Sequence, residues 1–264
     1  MWKKTIRAAL ACALALGAWG GAALATPVTV DGITWDPANG SDLTIQALNF
    51  REATVSGVGD VLTGYGQIGS INGDTSFCSG CSLTFQFSYQ VSAIEGVAPN
   101  PRVIFDNGTI NFFVDMGGTF NVDDPTTVGI GSNWLTLSGH TAPFTGFTAV
   151  GQLYSSINGP ISEPGGLSAG FGLLDVTGGA AAFWMDTNTR ADGSDFDLSS
   201  SFSTQPYAEC ASVSGDPTSI CHYPIVGTGT LTGLTAVPEP GTIGMLGLGL
   251  GFLGLALRRR RKES

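Results

Sequence analysis

Lysine is missing from residues 26–236, and arginine occurs there only at Arg51, Arg102 and Arg190. Nineteen of the chain's 21 acidic residues fall in the same stretch, giving it a formal charge of −16, against −10 for all 264 residues. A surface of that sign repels phosphate backbones and anionic lipid, which excludes nucleic-acid binding as a function class. Charged residues are also few, 12% of the chain against 42% apolar, the reverse of a disordered composition. Histidine is as scarce: His140 and His222 stand alone, neither with a second histidine or a carboxylate at metal-ligand spacing. No repeat of solenoid length is present. The excess is glycine, 39 residues, about twice its usual share of roughly 7%.

The two ends differ from this acidic body. Lys3, Lys4 and Arg7 precede an apolar run from Ala8 to Leu16 and a small-residue segment ending Ala23-Leu24-Ala25. That order is a secretory signal peptide, read by the secretion machinery and cut by signal peptidase after Ala25. Cys12 leaves with it, and Ala9 stands where a lipoprotein signal prefers leucine. At the other end, Gly241 to Leu257 has no charge and spans about 26 Å as a helix, near the lower limit for crossing a bilayer. Arg258, Arg259, Arg260, Arg261 and Lys262 follow at once and resist translocation, a stop-transfer signal. Pro238-Glu239-Pro240 lies just before the span; its prolines lack amide hydrogens and restrain their predecessors, so it reads as an extended, accessible tripeptide. The expected organisation is therefore a signal helix at 1–25, an exported domain at 26–236 and a tail at 237–264. Within the tail come the motif at 238–240, a transmembrane helix at 241–257 and a basic end at 258–262.

This three-part tail resembles the PEP-CTERM sorting signal of Gram-negative bacteria. The resemblance implies recognition by an exosortase, a membrane cysteine protease that cuts near Pro238-Glu239-Pro240, in bacteria that commonly make exopolysaccharide. It implies a precursor held transiently in the inner membrane and then found in the periplasm, at the outer surface or in the extracellular matrix. It covers only the tail and carries nothing about the activity of the rest. A permanent single-span anchor, with the prolines as spacer, is the alternative.

In the exported domain, Leu83, Phe85, Phe87, Tyr89 and Val91 alternate with polar residues from Ser82 to Gln90, the period of a half-buried strand. Further strands are expected at 61–68, 103–105, 109–115, 134–137, 147–154, 171–176, 181–185, 196–202 and 225–231. They are punctuated by Asn72-Gly73-Asp74, Asn107-Gly108, Asn158-Gly159-Pro160, Pro164-Gly165-Gly166 and Asp192-Gly193. Short strands with such punctuation point to an all-β, antiparallel β-sandwich or barrel-like domain. Ser41 to Phe50 is ambiguous: Leu43, Ala47 and Phe50 fit a helix capped by Ser41, whereas Leu43, Ile45 and Ala47 alternate as in a strand.

Four cysteines remain after export, Cys78, Cys81, Cys210 and Cys221, an even number in an oxidising compartment that allows three pairings. Closeness in sequence favours Cys78 with Cys81 and Cys210 with Cys221. A redox role for Cys78-Ser79-Gly80-Cys81 needs a following helix, but strand residues follow. A four-cysteine zinc site prefers shorter spacing in the second pair.

Several patterns bear on chemistry. Gly166-Leu167-Ser168-Ala169-Gly170 matches the nucleophile-elbow pattern, with Asp175 and His222 in a usable order, but strand-like residues follow where the elbow needs a helix. Gly64-Tyr65-Gly66-Gln67-Ile68-Gly69 matches the dinucleotide fingerprint and is likewise followed by a turn. Asp186, Asn188, Asp192, Asp195 and Asp197 crowd hard oxygen donors into one region, a calcium candidate that an Asp-Gly hairpin explains equally. Asp123 and Asp124 form a weaker one, and no pair of carboxylates is marked by spacing for glycoside hydrolysis. Trp35, Trp134, Trp184, Tyr65, Tyr154, Tyr207 and Tyr223 supply either a sugar-stacking face for exopolysaccharide or ordinary core. The leading expectation is an exported, non-enzymatic surface or matrix protein without a cofactor; a secreted polysaccharide-binding module is the alternative and a secreted hydrolase the third reading.

Overall fold

The alternating stretch at Ser82–Val91 is part of one stave of a closed barrel. A computed structural model of the chain describes residues 26–37, 43–118 and 120–236; the signal helix, transmembrane helix and sorting motif expected above lie outside the described residues. A short hairpin, Val28–Val30 (β1) and Ile33–Trp35 (β2), comes first. Nine strands follow: Leu43–Glu52 (β3), Val61–Ile71 (β4), Cys81–Glu95 (β5), Arg102–Met116 (β6), Ser132–His140 (β7), Leu153–Ser156 (β8), Ser168–Gly178 (β9), Phe196–Thr204 (β10) and Ile225–Gly233 (β11). All pair antiparallel, in the order β11-β3-β4-β5-β6-β7-β9-β10, and β10 pairs back onto β11. That last pairing closes the sheet and decides between sandwich and barrel.

The closed sheet has eight staves because β7 and β8 share one. β6 pairs with β7 through Thr109–Val114 and with β8 through Arg102–Phe105. On the other side, β9 passes from β7 at Leu173 to β8 at Gly172 without a gap. Residues 141–152 leave the sheet between them, so the strand expected over 147–154 is confined to Leu153–Ser156.

Two bulges explain where periodicity misled. β3 carries register shifts between Gln46 and Asn49, and the extra residue Leu48 is 63% exposed. The shift moves the inward set from Leu43, Ile45 and Ala47 to Phe50 and Glu52, and the resulting spacing imitates a helix. In β6, Asn107 and Gly108 stand opposite Tyr89 alone. The expected turn there is a bulge, since Asn107 has φ 53°, and asparagine followed by glycine serves both features. Gly108 is required because a Cβ at that point would lie 1.9 Å from the Tyr89 ring.

One end of the barrel is filled. The β1–β2 hairpin turns through Asp31-Gly32, both at positive φ, and buries Ile33 and Trp35. Trp35 meets the fully buried Trp134 edge-on at 5.9 Å and donates its indole N–H to Thr235 Oγ1 at 3.1 Å. Thr34 N–H is held by Phe77 O. The strand expected at 181–185 is instead a single helical turn, Ala182–Met185 (α1). After β9, Gly179 at φ 97° turns the chain, and Ala181 and Met185 are buried there.

Candidate functional site

The other half of the interior is open. A cavity of about 100 Å³ lies inside the staves, towards the end where residues 53–60 and 157–167 connect strands. Its wall carries Phe50, Phe85, Phe87, Phe105, Phe112 and Phe202. Glycine makes room for these rings: a Cβ at Gly64 would strike Phe87, one at Gly66 would strike Phe85 and one at Gly227 would strike Phe50. The dinucleotide-like glycines at 64 and 66 are therefore a floor under aromatic rings, in the middle of β4 rather than in a phosphate-binding loop.

Glu52 and Tyr89 are the titratable side chains on this wall. Glu52 is 6% exposed, and its carboxyl has no hydrogen-bond or ion-pair partner among the described residues. Burial pushes its pKa up to about 8, because an apolar surround disfavours the charged form; at neutral pH the group is mostly the neutral acid. The Tyr89 hydroxyl is also buried without a partner, and burial raises its pKa as well. The nearest cation in sequence is no help to Glu52. Successive strand residues face opposite sides, and Arg51 faces out, where it pairs with Asp123 at 3.0 Å.

The residues singled out by sequence are distributed differently. Ser168 is buried; its hydroxyl donates to Gly165 O at 2.9 Å and accepts from Asn158 N–H at 3.0 Å. Asp175 lies seven residues along the same strand, roughly 23 Å away at about 3.3 Å per residue. Its carboxylate meets His140 Nδ1 at 2.9 Å, from the neighbouring stave. His222 Nδ1 instead bonds Ser214 O at 2.7 Å, so the structure does not bring the three residues of a hydrolase triad together.

In the oxygen-rich segment each side chain has its own use. Asp195, 1% exposed, accepts from the N–H groups of Val176, Thr187 and Asn188 at 2.7–2.8 Å. Asp197 pairs with Arg190, Asp192 accepts from Ser194, and Asn188 donates to Asp186. Asp124 caps a short turn through Thr126 N–H. Among the described residues, no group of three or more His, Cys, Asp or Glu is placed to hold a metal ion.

Both disulfides join the cysteines that spacing favoured: Cys78 with Cys81, Cα atoms 5.3 Å apart, and Cys210 with Cys221, 5.5 Å apart. Of the seven aromatic candidates, Trp35, Trp134, Tyr65, Tyr154 and Tyr223 are buried, leaving Trp184 and Tyr207 partly exposed. Tyr154 instead joins a cluster with Phe144, Phe147 and Phe171. Sequence reasoning overlooked Glu52. Its signal was an acid in a strand otherwise apolar on one face, hidden by the β3 bulge.

Residues 236–261 match the PEP-CTERM protein-sorting motif. The chain thus carries the sorting signal of an exosortase substrate, which supports export through a membrane-anchored precursor. No curated protein and no solved structure matches the chain.

Proposed function

We propose that this is an exported, non-enzymatic protein whose barrel is presented at the cell surface or in the extracellular matrix once an exosortase has removed its tail. The carrying observation is the placement of the sorting motif. The match begins at residue 236, and the last barrel strand ends at Gly233. A cut near Pro238-Glu239-Pro240 therefore removes the span and the arginines while sparing every strand. The formal charge of the remaining body, −16, favours solubility outside the membrane. The non-enzymatic reading draws support from Ser168, whose hydroxyl is committed to backbone groups. Mass spectrometry of the protein from native cells tests the proposal. The expected terminal peptides begin at Thr26 and end near Pro238–Pro240; an intact tail on the mature protein contradicts it.

A further inference from the structure

We infer that the barrel cavity binds a small hydrophobic amine, with the ammonium held by the Glu52 carboxylate and the apolar part by the surrounding phenylalanine rings. The cavity is about 100 Å³, against about 150 Å³ for an apolar protein cavity that takes up benzene, which limits the apolar part of a ligand to about one small ring. The wall is aromatic on several staves, and ring faces attract a desolvated cation. One carboxyl lines it, that of Glu52, a residue 6% exposed. A carboxylate in an apolar wall needs a counter-charge or hydrogen bonds, and no lysine, arginine or histidine lines the cavity to supply one. An anionic ligand would lose its hydration with no cation on the wall to replace it, and a plain hydrocarbon would make no use of the carboxyl. The strongly acidic body draws cations towards the protein.

The proton balance follows from the same geometry. The groups that titrate on the wall are Glu52 from β3 and Tyr89 from β5, while Arg51 and Asp123 pair on the outer face. Near neutral pH the empty site holds a proton on Glu52. An arriving ammonium ion displaces that proton to solvent, leaving a carboxylate–ammonium pair in the cavity. Binding of the amine therefore strengthens as pH rises towards about 8, by roughly tenfold per unit below that point.

Calorimetry on the full chain, in one detergent throughout, tests this with benzylamine, benzyl alcohol and benzoate at pH ~7. Benzylamine is expected to bind at least about tenfold more tightly than benzyl alcohol, with benzoate weakest. Comparing buffers of different ionisation heat should show close to one proton released per amine bound. Glu52→Gln should bring benzylamine down to the level of benzyl alcohol while leaving the alcohol unchanged. Equal affinity for amine and alcohol, amine binding without proton release, unchanged amine binding in Glu52→Gln, or no binding of any probe would each overturn the assignment. If Glu52→Gln fails to fold, proton release and the pH slope of the unaltered chain decide. None of these outcomes depends on how the tail is processed.

Discussion

Asp195 and Glu52 are two buried carboxylic acids at opposite ends of one barrel, and they have opposite surroundings. Asp195 lies just before β10, at the end filled by the β1–β2 hairpin, and receives three backbone N–H groups. Glu52 closes β3 at the open end and receives none among the described residues. Burial alone therefore does not tell a structural acid from one set for a ligand; the count of donors around the oxygens does. Three amides aimed at one carboxylate tie β9, the loop after α1 and the start of β10 together. An acid facing phenylalanine rings ties nothing, and its cost to the fold is what a bound cation would offset.

Two substitutions sharpen that contrast. Asp195→Ala strands one buried and two partly buried amides and should destabilise the protein by about 2–3 kcal/mol in denaturant unfolding; a loss under about 1 kcal/mol would mean that water or a neighbour replaces the carboxylate. Glu52→Gln should act in the other direction, stabilising by about 3 kcal/mol at pH ~7. The sign follows from the raised pKa: between its ordinary value of 4.5 and about 8, the folded protein keeps a proton that the unfolded chain gives up. Stability from this group is complete below 4.5 and is lost as pH rises to about 8. The advantage of Glu52→Gln should accordingly vanish at low pH and grow across that window. An advantage independent of pH would place its origin in packing rather than in ionisation.

The all-β class was legible from β5, whose apolar and polar residues alternate without a bulge through Ser82 to Ser88, and from the turn chemistry around it. The disulfides were legible too, because short loops leave little choice of partner. Barrel closure was not, since the pairing of β10 with both β9 and β11 is made by residues distant in sequence and leaves no local mark. The helix-like spacing of Leu43, Ala47 and Phe50 came from one extra residue in β3, which also concealed that Glu52 faces inward. Asn107-Gly108 spoke for a positive φ but not for whether the chain reversed there. Asp175 and His222, in usable order for a hydrolase, have different partners, because the strand beside Asp175 is β7, which presents His140, while His222 bonds Ser214. Part of the excess glycine, Gly64, Gly66, Gly108 and Gly227, found its reason only in three dimensions, beneath the rings of Phe50, Phe85, Phe87 and Tyr89.

The most direct measurement is a ¹³C NMR titration of the Glu52 carboxyl carbon in the full chain, assigned by its disappearance in Glu52→Gln. The account predicts a neutral acid at pH ~7 with a midpoint near 8. A midpoint at the ordinary value of 4.5 would show a solvated or paired carboxylate and contradict it.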